Sequence, residues 1–226
     1  TIFSQNLVPN GGFEEYEKCP DTINTASYYK KELWHYAPKF WYQSSCGTPD
    51  YYNKCSVLPR IRAVNQRSGT GCILIAAFNE SDNFCREYVS VNFSSPLIAN
   101  EKYCVRFYAS MDKRSDLICT FLSANIGYVA DWRSTYVHLS FSSLIYNQIP
   151  YLSDTNWVEI SGVYTAKGGE KCLSIGNFSE NNVGGIRIKE KYDIKNKALG
   201  SHFAVYFIDD VSVTHDDRFL QQAYED

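Results

Sequence analysis

Several features that would place this chain in other protein classes are scarce or missing. It contains a single Met among 226 residues, and helix-favouring runs of Ala, Leu and Glu are rare. No apolar run approaches the roughly 20 residues that cross a bilayer as a helix. The formal net charge is −3 and there is no block of Lys or Arg, so nucleic acid is not an expected partner. We therefore expect a globular chain without a membrane span and without long helices.

Recognisable motifs of catalysis are missing as well. The four His, at 35, 138, 202 and 215, fall in no metal-ligand spacing, and there is no GxSxG elbow. The Gly pairs at 168–169 and 184–185 are not followed by helical sequence, so a phosphate loop is not expected. A glycosidase needs two carboxyl groups about 5–10 Å apart in a cleft, and the sequence locates no such pair. We predict that the chain is not an enzyme.

The eight cysteines contain no CxxC pair. An even number without that spacing favours disulfides over a zinc site, and hence an exported protein. The expected local link lies among Cys19, Cys46 and Cys55, and Cys104 with Cys172 is a candidate to join two strands. The alternative is that several of these thiols are free and buried. Residues 1–5 resemble the end of a secretory signal peptide and are predicted to be its remnant.

Aromatic residues are abundant, with 18 Tyr and 13 Phe, and this composition favours strands. Residues 6–16 are predicted to form the first strand and its turn, and residues 17–60 a long irregular region. Turn signals recur at the spacing of an all-β sandwich. Period-two alternation or continuous apolar sequence predicts further strands at 71–78, 86–93, 102–110, 118–129, 136–141, 156–164, 171–178, 185–188 and 203–213.

Acidic motifs lie near both ends of the chain. NLVPNGGFEE occupies residues 6–15 and YFIDDVSV occupies residues 206–213. Strand alternation would place Phe207, Asp209 and Val211 on one face. A lone carboxylate among apolar side chains is costly, so Asp209 should meet a cation. Glu14 is the natural partner for a shared hard cation such as Ca²⁺.

These end motifs, with GTPDYYNKC, SPLIANEKYCVRFYAS and NWVEISGVYTAKGGEKCLSIGNF between them, resemble galactose-binding-like jelly-roll carbohydrate-binding modules. Together they look like a domain of secreted and envelope proteins of Bacteroidota, in gliding, type IX secretion-associated or OmpA-linked contexts. The resemblance spans residues 6–213 and implies an all-β, two-sheet jelly-roll β-sandwich. It also implies a structural Ca²⁺ between Glu14 and Asp209, with Asn10 and Asp210 as further candidate ligands.

Sugar sites pair exposed aromatic rings with a few fixed polar groups. The candidate ligand-binding residues lie mainly in the irregular region: Trp34, Tyr36, Asp50, Tyr51, Tyr52, Asn53 and Trp132. The alternative is that these aromatic residues pack together as a small core under the loops.

We predict a non-catalytic carbohydrate-binding module of an exported protein, extracellular, on the cell surface or associated with the outer membrane. The alternative is a structural or protein-interaction domain of a surface, secretion or gliding assembly with no sugar ligand. Residues 214–226 lose the strand alternation and turn acidic, so they are predicted to link to a further domain.

Overall fold

Alternating apolar residues build strands that associate into two facing antiparallel sheets. The computed structural model describes residues 5–23, 37–45, 47–62, 64–79, 86–113, 115, 117–119, 121–127, 144–146, 155–179, 185–187 and 203–215. Its strands are β1 (Trp41–Gln43), β2 (Asp50–Asn53), β3 (Gly71–Asn79), β4 (Val89–Asn92), β5 (Lys102–Met111), β6 (Leu117–Cys119), β7 (Leu122–Gly127), β8 (Leu144–Tyr146), β9 (Val158–Thr165), β10 (Cys172–Asn177), β11 (Gly185–Arg187) and β12 (Phe203–His215), with one short helix, α1 (Pro59–Arg62).

The strand order shows which elements share a surface. The first sheet runs β1-β4-β10-β7-β8 and the second runs β2-β3-β12-β5-β9, while β11 and β6 form a separate pair. Every described pairing is antiparallel. The prediction of an all-β, two-sheet jelly-roll sandwich is confirmed.

Apolar side chains from both sheets fill the space between them. Val105 and Phe107 of β5 and Leu173 and Ile175 of β10 are all fully buried. Each such side chain contributes about 1.5–3 kcal/mol to the stability of the fold. A second, smaller cluster lies on the outer face of the second sheet, where α1 and its flanking residues cover part of the strands; its buried members are Tyr52, Ile61, Cys72 and Leu74.

The last strand contains a β-bulge that changes which residues face the core. Between Asp209 and Ser212 the register with β5 shifts, and Asp210 has a positive φ of 49°. Before the bulge Ile208 points inward, and after it Val211 and Val213 do. The prediction that Asp209 shares a face with Val211 is therefore wrong, because one extra residue in the strand reverses the alternation.

The N-terminal segment differs from the predicted first strand. The Leu7 N–H donates to the Val213 carbonyl at 2.8 Å, and the Ser94 N–H donates to the Leu7 carbonyl at 2.9 Å. Positive φ angles at Asn10 (51°) and Phe13 (59°) then turn the chain, so no regular ladder forms. The predicted irregular region, in turn, contains β1, β2 and α1.

Of the two predicted disulfides, the one among Cys19, Cys46 and Cys55 is confirmed and the one between Cys104 and Cys172 is wrong. Cys19 and Cys55 form a disulfide with a Cα–Cα distance of 6.0 Å. Closing a loop of 36 residues restricts the unfolded chain and stabilises the fold by roughly 4 kcal/mol in the chain-entropy account. Cys104 and Cys172 do not form a disulfide with each other. They lie on the outer faces of opposite sheets, so they do not join two strands.

Candidate functional site

Asp209 is fully buried beneath the loop that precedes β3. One carboxylate oxygen accepts the N–H groups of Arg67 at 3.0 Å and Ser68 at 3.3 Å, and the other accepts the Asp210 N–H at 2.8 Å. Burial, together with the neighbouring Asp210 charge, raises the pKa of Asp209 to about 7. The sequence argument placed a cation beside this carboxylate, whereas the structure supplies backbone N–H groups.

Glu14 holds the other end of the same loop. Its carboxylate accepts the Thr70 N–H at 2.8 Å, the Gly71 N–H at 3.0 Å and the Thr70 hydroxyl at 2.6 Å. Gly69 has a positive φ of 54°, and a Cβ at this position would lie 2.2 Å from a Glu14 oxygen, so only glycine fits there. The two acidic motifs at the ends of the chain thus meet on one loop, residues 67–71.

The calcium prediction involves these carboxylates together with Asn10 and Asp210. The Asn10 amide donates to the carbonyls of Glu15 and Lys39 and accepts the Glu15 N–H. In the described part of the chain, no three or more His, Cys, Asp or Glu side chains are grouped so that they could hold a metal ion. N–H donors and a cation compete for the same oxygen lone pairs, and in this structure hydrogen bonds already occupy oxygens of Glu14, Asp209 and Asn10. A structural Ca²⁺ at these four residues stays a prediction.

Beside the loop lies an open hollow of about 380 Å³, which we call the Arg67 hollow. The Arg67 guanidinium stacks over the Tyr108 ring at 3.4 Å and pairs with the Asp210 carboxylate. Its lining residues are Asn6, Gly11, Gly12, Arg67, Arg106, Tyr108, Asp210, Val211 and Ser212.

The charges around this hollow neutralise one another. The Tyr108 hydroxyl donates to Glu159 at 2.6 Å, and Arg106 lies 3.8 Å from the same carboxylate. The Tyr108 hydrogen bond is the main reason that the pKa of Glu159 is lowered, with Ser161 and Arg106 contributing. Since each charged side chain that lines the hollow already has a partner of opposite sign, the network holds the outer face of the second sheet together.

The structure places the predicted sugar-binding residues in two groups. Asp50, Tyr51, Tyr52 and Asn53 form β2, and all four are buried. The Tyr51 hydroxyl donates to the Phe13 carbonyl at 2.7 Å, so this ring supports the N-terminal turn. As ligand contacts these four stay a prediction, and their burial favours the packed alternative. The remaining three lie outside the described residues: Trp34, Tyr36 and Trp132.

A second depression, which we call the Trp157 groove, opens on the same outer face and measures about 520 Å³. Tyr52, Phe207 and Trp157 are its aromatic residues, and the Tyr52 and Phe207 rings meet edge to face at 5.4 Å. Trp157 and Phe207 are only partly buried, so part of each ring remains accessible. The lining residues are Tyr52, Arg60, Val64, Asn65, Ser110, Met111, Asp112, Lys113, Thr155, Asn156, Trp157 and Phe207.

Two hydrogen bonds fix the walls of the groove. Trp157 Nε1 donates to the Asn65 carbonyl at 3.2 Å, which ties the aromatic ring to the segment after α1. The Ser110 hydroxyl donates to the Thr155 carbonyl at 2.7 Å, which ties the end of β5 to the segment that precedes β9. The rings are therefore held in position, which lowers the entropy lost when a ligand binds.

Sequence reasoning missed Trp157 as a site residue although the signal was present. In the alternation of β9, Trp157 has the parity of Glu159 and Ser161, which are exposed, rather than that of the buried Ile160. A Trp at a strand position that faces solvent is a candidate for stacking against a sugar ring. Arg60 and Phe207 carried no comparable signal, because Arg60 lies in α1 and Phe207 in β12, and only tertiary packing brings both to the groove.

Comparisons with known proteins returned distant structural likenesses. No family model matches the chain, and no curated protein matches it. A CBM22 xylan-binding domain from Paenibacillus barcinonensis is 11% identical with a TM-score of 0.42, covering 77% of this chain and 85% of its own. The N-terminal cellulose-binding domain of a Cellulomonas fimi β-1,4-glucanase is also 11% identical with a TM-score of 0.39, covering 80% and 91%.

A third solved structure, TmCBM61 in complex with β-1,4-galactotriose, has 11% identity and a TM-score of 0.40, covering 94% of this chain and 100% of that one. All three are carbohydrate-binding modules by their descriptions. Likenesses of this size carry no argument about the ligand of this chain, so its function has to be argued from its own geometry.

Proposed function

We propose that this chain is a non-catalytic glycan-binding module and that the Trp157 groove is its binding site. The observation that carries the proposal is an open groove in which two aromatic residues, Trp157 and Phe207, are partly accessible, bordered by amide, hydroxyl and charged groups. Sugar rings present apolar C–H faces that stack on aromatic rings, and hydroxyl rims that hydrogen-bond to side chains such as Asn156. The Arg67 hollow supports no such proposal, because its charged side chains are already paired.

A binding role agrees with the acidic residues of the groove better than a hydrolytic one. Glycoside hydrolysis uses two carboxyl groups that flank the scissile bond. Among the described residues that line the groove, Asp112 is the one carboxylate, and it is only 4% exposed. An acid pair at this position is therefore not available from the described residues.

The proposed module works outside the cytoplasm. The Cys19–Cys55 disulfide supports export, because such bonds persist in oxidising compartments. None of the described helices is long and apolar enough to cross a membrane. The assignment to an envelope or secreted protein of Bacteroidota, and a linker after residue 213, stay predictions from the sequence.

The test is a glycan array followed by affinity measurements on the Trp157→Ala variant. We expect the variant to lose at least about tenfold in affinity, since a central aromatic anchor contributes 1.4 kcal/mol or more. Because Trp157 also packs against the second cluster, Trp157→Phe serves as a milder variant with partial binding. Val163→Ala is the matched control: Val163 is an exposed apolar residue of the same strand that does not line the groove.

Two results would contradict the proposal. One is specific glycan binding that Trp157→Ala leaves unchanged. The other is no binding to any glycan by a folded protein, which would favour the structural or protein-interaction alternative.

A further inference from the structure

The exposed charges that line the Trp157 groove are positive, whereas the net charge of the whole chain is negative. The chain carries a formal net charge of −3, yet the exposed charged residues that line the groove are Arg60 and Lys113. Asp112, the acidic residue beside them, is almost fully buried. Among the described residues that line the groove, the two exposed cations outnumber this one carboxylate, so their combined charge is positive whereas that of the whole chain is negative.

Among the described residues, neither cation of the groove has a bonding partner. Neither Arg60 nor Lys113 forms an ion pair or a side-chain hydrogen bond with another described residue. In the Arg67 hollow the opposite holds, since Arg67 pairs with Asp210 and Arg106 lies beside Glu159. A guanidinium presents five donors in a planar fork that matches a carboxylate or sulfate.

The two cations come from different elements and border one ligand volume. Arg60 lies in α1 (Pro59–Arg62), and Lys113 follows the end of β5 (Lys102–Met111). Trp157, immediately before β9, lines the same groove. A sugar ring stacked on Trp157 would thus have positive charge available from the segment over the sheet and from the end of β5.

We propose that the Trp157 groove selects acidic glycans, with a sugar carboxylate or sulfate bound by Arg60 and Lys113. This inference rests on the proposed function and adds the class of ligand. Each exposed charge pair is expected to strengthen binding by a factor of about 1.4 to 5. Together the two cations should favour an anionic polymer over its neutral counterpart by about tenfold at low salt.

The test uses pairs of polymers that share one backbone and differ in charge. Homogalacturonan with methyl-esterified carboxyl groups is compared with the same polymer after de-esterification, and dextran is compared with dextran sulfate. Affinity is measured for the full chain, for the Arg60→Gln/Lys113→Gln double variant and for Trp157→Ala. The matched control is Arg62→Gln/Lys171→Gln, which removes the same charge from two exposed residues outside the groove.

We expect about tenfold tighter binding to an anionic polymer, an advantage that falls with added salt and disappears in the Arg60→Gln/Lys113→Gln variant but not in the control. Preference for de-esterified homogalacturonan would identify the carboxylate as the recognised group, and preference for dextran sulfate the sulfate. Equal loss in both double variants would mean non-specific attraction and would overturn the inference.

The inference and the function on which it rests fail differently. Tight binding to neutral glycans that depends on Trp157 but not on Arg60 and Lys113 would overturn the acidic specificity alone. Binding of any polymer that Trp157→Ala leaves unchanged would overturn the site itself.

Discussion

The Arg67 hollow and the Trp157 groove lie on the outer face of the same sheet but use their side chains differently. In the hollow the Arg67 guanidinium stacks on Tyr108 and pairs with Asp210, and the Tyr108 hydroxyl bonds to Glu159. In the groove, the Trp157 indole N–H donates a hydrogen bond to the Asn65 carbonyl, but part of the Trp157 ring remains accessible.

Whether the side chains are already paired distinguishes a structural network from a binding surface more clearly than the types of residue do. Both depressions contain aromatic and cationic residues, and both use β5. Only the groove presents cations without a described partner. If the comparison is right, damage to the hollow should appear in the stability of the protein, and damage to the groove in its affinity for ligand.

The largest effect is expected from Asp209→Ala, beneath the wall of the hollow. The change leaves the N–H groups of Arg67, Ser68 and Asp210 without their acceptor. Buried donors without partners cost about 1–3 kcal/mol each, and removing a buried charge offsets part of that. We expect the free energy of unfolding to fall by about 3 kcal/mol in urea denaturation, while the folded protein still binds glycan.

Asp210→Asn is the matched control, because Asn also tolerates a positive φ and the change leaves the Asp209 carboxylate in place while it removes the charge that pairs with Arg67 and repels Asp209. Its expected loss is below about 1 kcal/mol. Both variants are measured in EDTA and again in Ca²⁺. If Asp209→Ala destabilised the protein only with Ca²⁺ present, Asp209 would be a metal ligand and not the acceptor described above.

A smaller, pH-dependent effect on stability is expected from Glu159, which bonds to Tyr108 beside the hollow. Its folded-state pKa is lowered, chiefly by the Tyr108 hydroxyl, so its contribution to stability is present above the unfolded-state pKa, about 4.3. That contribution is lost as the pH falls through the folded-state value. The melting temperature of Glu159→Gln should therefore be slightly lower than that of the wild type at pH 7, and this difference should shrink as the pH falls below about 4.3. A difference that grows on acidification would contradict the network.

Much of the fold followed from residue patterns, and the exception shows what patterns omit. Alternation predicted β5, β9 and β10 to within two residues, because their inward positions are continuously apolar. In β12 the same rule failed after Asp209, because a β-bulge inserts one extra residue into the strand. The alternation of apolar and polar residues does not reveal where such an insertion occurs. The N-terminal turn was misjudged for a related reason: hydrogen bonds to β12 and Ser94 align it without a ladder.

The candidate site was less predictable than the fold. Tyr51 and Tyr52 follow a Pro-Asp turn signal and so indicated an exposed loop, but pairing with β3 turns them into buried strand residues. Trp157 was identifiable from strand parity. Arg60 and Lys113 were not, because they are distant in sequence and come together only through tertiary packing.

The most direct test of the central claim is an NMR titration that follows the indole N–H signals of the four Trp residues, 34, 41, 132 and 157, as a binding glycan is added. Trp41 is buried, with its Nε1 donating to the Asn10 carbonyl at 3.0 Å, and serves as the internal reference. The account predicts that the Trp157 signal shifts with the binding curve while that of Trp41 stays fixed. A saturable shift of Trp34 or Trp132 with Trp157 unmoved would contradict it and return the site to the residues predicted from sequence.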